Sequence, residues 1–501
     1  MLQQPHPCRS GPPVLFNSAP FLFVFLPIAL AVYLTLRNRH PQLANGWLLV
    51  ASLFFYGWWE VRFLPVLLSS IVANFLLGRA ISRRPEAGHA LLAAGVALNL
   101  TALGCFKYAN FLIANVAGLV GANWPGIDIP LPIGISFFTF TQIAYLVDAC
   151  QRKAEEPDPI RYGLFVTYFP HLIAGPILHH GEMMPQFADR RSRDRLRDIA
   201  VGLVLLSAGL FKKVVIADSI AQYSTPVFAT FDAGGRLSVV EAWVGALAYA
   251  FQIYFDFSAY CDMALGISRM FGILLPINFL SPYQATSIID FWRRWHITLS
   301  RFLRDYLYIP LGGNRRGPLR RQANLALTMV LGGLWHGASW NFVIWGALHG
   351  TYLVINHAWR RLTREASGPG QRYAEWTLTF LAVVTAWVFF RATTTRGAWA
   401  MIETMYGLRG PVRPDAMPVR PLLWLSVLLL FCALAPNLYV VLRRFEPGLY
   451  PHWFAGSHAA RRPVVRELSF AGGLCCGVLF MVALVVMLQL SRQSEFLYFQ
   501  F

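Results

Sequence analysis

Residues 325–357 read LALTMVLGGLWHGASWNFVIWGALHGTYLVINH and contain no Asp, Glu, Lys or Arg. A single helix from Leu325 to Ala358 would be about 50 Å long at 1.5 Å per residue. The hydrocarbon core of a bilayer is only about 30 Å thick. This length predicts a membrane segment that tilts strongly, breaks or re-enters. Glycines that permit close backbone approach and weaken a continuous helix stand at Gly332, Gly333, Gly337, Gly346 and Gly350.

The rest of the chain has the same apolar character. Of its 501 residues, 56% are hydrophobic and 14% are charged, whereas about 25% of the residues in a soluble domain are charged. Blocks long enough to cross a bilayer occur at 16–37, 43–59, 61–80, 90–113, 130–150, 199–222, 239–272, 325–358, 373–391, 420–442 and 468–490. We predict an all-α, polytopic integral membrane protein with about eleven transmembrane or re-entrant segments.

The formal net charge of +18 indicates topology rather than nucleic-acid binding, because the basic residues lie in short connections between apolar blocks. Loops 37–40, 82–86, 151–161 and 189–198 are rich in Lys and Arg, whereas 116–131 has neither. This alternation predicts that both termini lie outside the cytoplasm.

Residues 1–13 contain no span and are predicted to be a disordered extension of a single membrane domain, 14–501. A cytoplasmic loop is predicted at about 443–467, from Arg443, Arg444, Arg461, Arg462 and Arg466.

Ionisable residues inside apolar blocks are expensive in a membrane and usually face protein or a water-filled cavity. Asp256 and Asp262 lie in one such block, and each either pairs with a buried basic group or contributes to a functional site. Lys212 and Lys213 interrupt another block, close to Asp218. We expect these lysines to extend towards an interface.

Residues 287–317, SIIDFWRRWHITLSRFLRDYLYIPLGGNRRG, combine an apolar stripe with a basic face. The spacing predicts one amphipathic helix in the interface plane, beginning near Ser287 and ending at Pro310. Its arginines suit either an anionic lipid surface or a substrate phosphate. His296 lies at the boundary between the two faces.

His336 stands between Trp335 and Trp340 and is flanked by glycines. It is either a packing residue or part of a narrow lined cavity. If His336 lines a cavity, then His336, His296 and Asp256 together suit a functional site. That site could belong to an enzyme or to a transporter that uses the three residues as a proton relay. The sequence has no CxxC metal spacing, and no metal is expected.

Several motifs resemble the membrane-bound O-acyltransferase family, in the branch that contains the membrane subunit of bacterial alginate O-acetyltransferase. They include FWRRWHITLSRFLRDYLYIPLGGNRRG, LGGLWHGASWNFVIWGALHG, PIGISFFTFTQIAYLVD and the terminal LYFQF. The resemblance implies a bacterial inner-membrane enzyme that moves an acyl group across the membrane. The expected donor is acetyl-CoA or another cytoplasmic thioester, and the expected acceptor is an extracytoplasmic hydroxyl, such as that of an alginate-like polysaccharide. It also implies a secreted or membrane-anchored partner that completes the transfer.

The resemblance implies that His336 is the catalytic histidine and that His296 matches the family's second polar position. Burial among Trp335, Leu334 and Trp340 is expected to disfavour a charged imidazole, so His336 is expected to be neutral and able to act as a base. His296 would donate a hydrogen bond to the thioester carbonyl or orient the donor. Weaker candidates for substrate binding are Arg293, Arg294, Arg315, Arg316, Trp335 and Asp256. His349 is expected to be structural. A lipid- or protein-acylating enzyme of the same family remains an alternative.

Overall fold

The computed structural model describes residues 15–188, 194–362, 368–413, 417–457, 465, 467, 469–489 and 496–497. The predicted extension 1–13 and Arg461, Arg462 and Arg466 of the last loop lie outside the described residues. The helices are α1 Leu26–Arg39, α2 Pro41–Glu60, α3 Leu64–Arg83, α4 Gly88–Leu103, α5 Ala109–Val120, α6 Ile135–Cys150, α7 Pro159–Thr167, α8 His180–Ala188, α9 Arg195–Leu210, α10 Asp218–Asp232, α11 Val239–Met270, α12 Ile288–Arg294, α13 Ile297–Leu303, α14 Pro318–His336, α15 Trp340–Leu362, α16 Pro369–Arg391, α17 Thr395–Met405, α18 Val419–Leu434, α19 Leu438–Val441 and α20 Phe470–Gln489.

The all-α membrane fold is confirmed. Within the described part of the chain, seven helical stretches are long and apolar enough to cross a bilayer: Phe21–Arg39, Pro41–Arg83, Pro85–Val120, Arg195–Asp232, Gly370–Arg391, Val419–Phe445 and Phe470–Gln489. All eleven apolar blocks contain helix, but the number that crosses the membrane stays a prediction.

Helix α11 forms the centre of the bundle and packs mainly against α9 and α10. It begins at a capping box in which Ser238 and Glu241 bind each other's backbone N–H groups. Its 32 residues are almost all buried, which gives a length of about 48 Å. A methyl group added at Gly202 of α9 would lie 2.6 Å from the carbonyl oxygen of Gly266. The small residues therefore let these two helices touch through their backbones.

The oversized block 325–358 breaks, as one of the sequence-based alternatives predicts. Helix α14 ends at His336 and α15 begins at Trp340, with Gly337 in an extended conformation between them. The two helices then pack against each other at their glycines. A side chain at Gly333 would collide with the carbonyl of Phe342, and one at Gly346 would collide with the carbonyl of Met329. Glycine at these positions therefore permits the hairpin.

The single amphipathic helix predicted over 287–309 is wrong at its middle. The chain forms α12, a kink and then α13, because His296 adopts a left-handed conformation with φ 43° and ψ 55°. The predicted start at Ser287 is confirmed, since its side chain accepts the Asp290 N–H. The apolar stripe does not lie flat, because Phe291, Trp295 and Leu299 are buried in the protein.

The lysines of 212–213 do not extend to an interface. The Lys213 Nζ lies 2.9 Å from an Asp218 oxygen and 2.8 Å from an Asp256 oxygen, and the side chain is 1% exposed. The Lys212 Nζ lies 2.7 Å from an Asp262 oxygen. The ion-pair alternative for both aspartates is therefore confirmed, and these charges are paired inside the bundle.

Candidate active site

The kink between α12 and α13 and the end of α14 bring two histidines together. The ring centroids of His296 and His336 are 6.5 Å apart, and both side chains are buried, at 0% and 3% exposure. Trp335 lies beside both rings, at 4.9 Å from His336 and 6.4 Å from His296. The two histidines, forty residues apart in sequence, therefore line one small region of the protein interior.

Aromatic rings enclose His336, and Trp335 is one of them, but Trp340 is not. The His336 ring centroid lies 5.2 Å from that of Trp345 and 5.1 Å from that of Phe390. Trp340 is instead 56% exposed and donates its Nε1–H to Asn115. The prediction that Trp340 encloses His336 is wrong because the backbone turns at Gly337, so Trp340 starts a new helix with its own orientation.

Asn278 fixes both the backbone and the ring of His296. The carbonyl oxygen of Asn278 accepts the Ile297 N–H at 3.0 Å. Its Oδ1 accepts the Thr298 N–H at 3.1 Å and lies 3.2 Å from His296 Nδ1. These contacts replace the helical hydrogen bonds that a continuous α12–α13 helix would make, and they explain the kink.

The same contacts assign the His296 tautomer. A backbone N–H only donates, so the Asn278 atom that it meets must be the oxygen, and His296 Nδ1 must donate to that oxygen. In a neutral ring, Nε2 then carries the lone pair and accepts hydrogen bonds. His296 can donate through Nε2 only when it is protonated.

Asp256 is not brought to the histidine pair. The neighbouring residue Phe257 packs its ring edge-on against His296, with centroids 4.8 Å apart. The Asp256 carboxylate pairs with Lys213, and its second oxygen accepts the Leu497 N–H at 2.9 Å. Its contacts are those of a structural ion pair.

His349 contacts the aromatic cluster rather than His296. Its Nδ1 accepts the Trp292 Nε1–H at 3.2 Å, and its ring packs 4.9 Å from Trp345. This hydrogen bond from the Trp292 indole to His349 Nδ1 stabilises the packing of the two side chains. These contacts agree with the structural role expected of His349.

Two of the four candidate arginines lie far from His336 along α14. Arg315 and Arg316 are exposed and precede α14, so they are separated from His336 by most of a helix about 28 Å long. Arg294 pairs with Asp290 at 2.9 Å, and Arg293 is exposed. Any role of Arg315 and Arg316 is therefore in holding a part of a substrate that is distant from His336.

Sequence reasoning missed several residues of the site, namely Asn278, Phe257, Trp345, Phe390 and Lys107. Only Lys107 carried a clear signal, since it is an ionisable residue inside the apolar block 90–113. The others are apolar or lie in a loop, and only the folded chain brings them to the histidines.

The fold and the enclosed histidine pair define a polytopic helical membrane protein with a polar site inside its bundle. Residues 45–395 match the model of the membrane-bound O-acyltransferase family, and both histidines lie within the match. The chain belongs to that family, and it is a membrane-embedded O-acyltransferase.

Curated relatives cover most of the chain. It is 45% identical to the peptidoglycan O-acetyltransferase of Helicobacter pylori over 427 residues, 79% of this chain and 80% of that protein. It is 38% identical to the "Probable alginate O-acetylase" of Pseudomonas putida over 500 residues, 97% of this chain and all of that protein. A teichoic acid D-alanyltransferase of Bacillus subtilis is 26% identical over 57% of this chain and 75% of its own length.

Proposed function

We propose that this protein transfers an acetyl group from a cytoplasmic thioester, such as acetyl-CoA, to a hydroxyl group of an extracytoplasmic polysaccharide. The observation that carries this proposal is the enclosed pair of His296 and His336 at the break between α14 and α15. O-acetyl transfer is favoured over other acyl groups because the relatives that cover most of the chain are named for acetylation.

His336 is the proposed general base. A hydroxyl group is a poor nucleophile until its proton is removed, and a neutral imidazole accepts that proton near neutral pH. The hydroxyl oxygen attacks the thioester carbonyl carbon, and the carbon–sulfur bond then breaks. The thiolate leaves readily because a thiol has a pKa of about 8.5. The products are an O-acetyl ester and the free thiol, which takes up the proton.

His296 is proposed to orient a substrate rather than to act as an acid. The Asn278 oxygen holds its Nδ1–H, so the neutral ring offers an accepting Nε2. Such an atom accepts a hydrogen bond from an N–H or O–H of the donor or acceptor. The alternative role, donation to the thioester carbonyl, requires a protonated ring, and burial in an aromatic site disfavours that charge.

The basic connections suggest the side from which the donor enters. Arg315 and Arg316 lie at the end of α14 opposite His336, in a basic loop of the kind that remains in the cytoplasm. An extended thioester could place its phosphates near these arginines and its acyl group near the histidines. Where a secreted or membrane-anchored partner completes the transfer, it receives the acetyl group on a hydroxyl of its own and passes it to the polysaccharide.

The test is transfer of radiolabelled acetyl from acetyl-CoA by purified protein in vesicles, with alginate and peptidoglycan fragments as separate acceptors. We expect acetyl ester on one acceptor and stoichiometric release of free thiol. A protein that binds the donor or moves protons but makes no ester in either case would support the transporter alternative. Esterification of phospholipid, or of a protein that does not pass the acetyl group on to either polymer, would exclude a polysaccharide acceptor.

A further inference from the structure

The end of α14 that carries His336 is held by side chains from a distant helix turn. Residues Gly104–Tyr108 form a π-helical turn between α4 and α5. From this turn the Lys107 Nζ donates to the carbonyl oxygens of Trp335 at 2.6 Å and His336 at 3.2 Å. Tyr108 donates its hydroxyl to the carbonyl of Leu334 at 2.8 Å. The last three carbonyl groups of α14 are therefore all bound.

The contacts of Lys107 match the chemistry of a helix end. The final carbonyl groups of a helix have no partner within the helix, and together they carry a partial negative charge. An ammonium group has three donors, and the third is used on the Ser136 Oγ at 3.1 Å. Among the ion pairs of the described residues none involves Lys107, so its charge is directed at this helix end.

The contacts of Lys107 and Tyr108 with the end of α14 affect the site, because His336 is the last residue of that helix. Helix α14 ends at His336 and the chain turns at Gly337, so the position of the imidazole depends on how the end of this helix is held. Ser136 lies in the first turn of α6, whose Phe140 stacks on Trp335 with centroids 5.1 Å apart. Lys107 therefore ties the backbone of His336 to the helix that supports the neighbouring ring.

We propose that Lys107 is a positioning residue for acyl transfer, whose ammonium group fixes the end of α14 and thereby the place of His336. This inference rests on the proposed role of His336. Lys107 does not touch the reacting atoms in this account; it acts through the backbone of residues 335 and 336. Loss of the ammonium lets that backbone move, and a displacement of about 1 Å at a reacting group can cost about a hundredfold in rate.

The test compares Lys107→Met, which keeps the chain length but removes the charge, with Lys107→Arg and with the exposed control Lys153→Met. Steady-state kinetics and the melting temperature are measured for each variant in vesicles. We expect Lys107→Met to lower kcat by about 10- to 100-fold while the donor KM changes by less than about threefold. Lys107→Arg should recover part of kcat, and Lys153→Met should match the wild type.

A double variant separates positioning from general stability. If Lys107 acts through His336, adding Lys107→Met to His336→Ala should lower the residual rate by no more than about threefold. Multiplied losses, a kcat of Lys107→Met near the wild-type value, or a loss that follows the folded fraction would overturn the inference. Full transfer by His336→Ala alone would instead show that the proposed function of His336 had failed.

Discussion

At the scale of single residues, the structure gives a physical reason for the conformation of His296. A non-glycine residue with φ near +43° is strained. Asn278 stabilises this conformation, because its backbone oxygen binds the Ile297 N–H and its side-chain oxygen binds the Thr298 N–H and the His296 ring. Asn278 thus determines the backbone, the tautomer and the direction of the ring. The second histidine of the site depends on an amide eighteen residues earlier in the chain.

Asn278→Ala should therefore lower both stability and activity. It leaves the Thr298 N–H and the His296 Nδ1 without their acceptor, which costs about 1–3 kcal/mol for each buried group. Because the ring is then free to rotate, kcat of the folded protein should fall by about tenfold or more.

A matched variant, Thr298→Val, removes a hydroxyl that binds both Ile177 and Asn278 but keeps the contact between Asn278 and His296. Melting curves and single-turnover rates of both variants are the measurements. We expect both variants to be less stable and only Asn278→Ala to be slower when folded. Equal rates for the two folded variants would contradict the role given to Asn278.

At the scale of helices, the hairpin of α14 and α15 depends on glycine. Gly333→Ala would place a methyl group against the Phe342 carbonyl and the Gly346 backbone, and we expect a loss of about 1–3 kcal/mol from overpacking. Gly118→Ala in α5 is the control, because a methyl group there meets nothing within 4 Å. If thermal denaturation shows the two variants to be equally stable, the close approach of the helices is not essential.

The C-terminal segment packs against the ion pairs of the bundle. Phe496 is 1% exposed and lies with its ring centroid 4.7 Å from the Lys213 Nζ, and the Leu497 N–H binds Asp256. Tyr498, Phe499 and Phe501 lie outside the described residues.

Deletion of residues 496–501 should lower the melting temperature, since it removes a donor to a buried carboxylate at a cost of about 1–3 kcal/mol. Deletion of 498–501 alone keeps both contacts and is the comparison. Similar melting temperatures for the longer and the shorter deletion would show that Phe496 and Leu497 do not stabilise the bundle.

The elements that could be predicted from the sequence are those set by local chemistry. The length of 325–358 indicated a segment that tilts, breaks or re-enters, and the structure shows the break. The cap at Ser287 was visible in the spacing of Ser287 and Asp290. The kink at His296 could not be predicted, because the helical periodicity continues through it and the competing acceptor, Asn278, comes from another segment. The wrong neighbour chosen for His336 has the same cause, since Trp345 and Phe390 approach only after the chain turns.

At the scale of the whole molecule, the charge distribution predicts which face each loop occupies. Asn123→Cys lies in the connection without basic residues and Lys153→Cys in a basic one, and both positions are exposed. In intact cells a membrane-impermeant maleimide should label Cys at 123 above the parent background, and Cys at 153 only after permeabilisation. The reverse pattern would invert the predicted orientation and the proposed direction of transfer.

The central claim is that His336 performs the chemistry of acyl transfer. The most direct measurement is the rate of acetyl transfer from acetyl-CoA by His336→Ala, alongside His349→Ala as a control in the same aromatic cluster. Melting temperatures of both proteins are recorded in parallel.

If His336 is the base, His336→Ala should remain folded while transfer falls by about 10²- to 10⁴-fold, the usual loss on removing an acid–base group. His349→Ala should lose stability while its folded fraction keeps most of the rate. Full transfer by a well-folded His336→Ala protein would contradict the account, and the base would have to be sought elsewhere in the bundle.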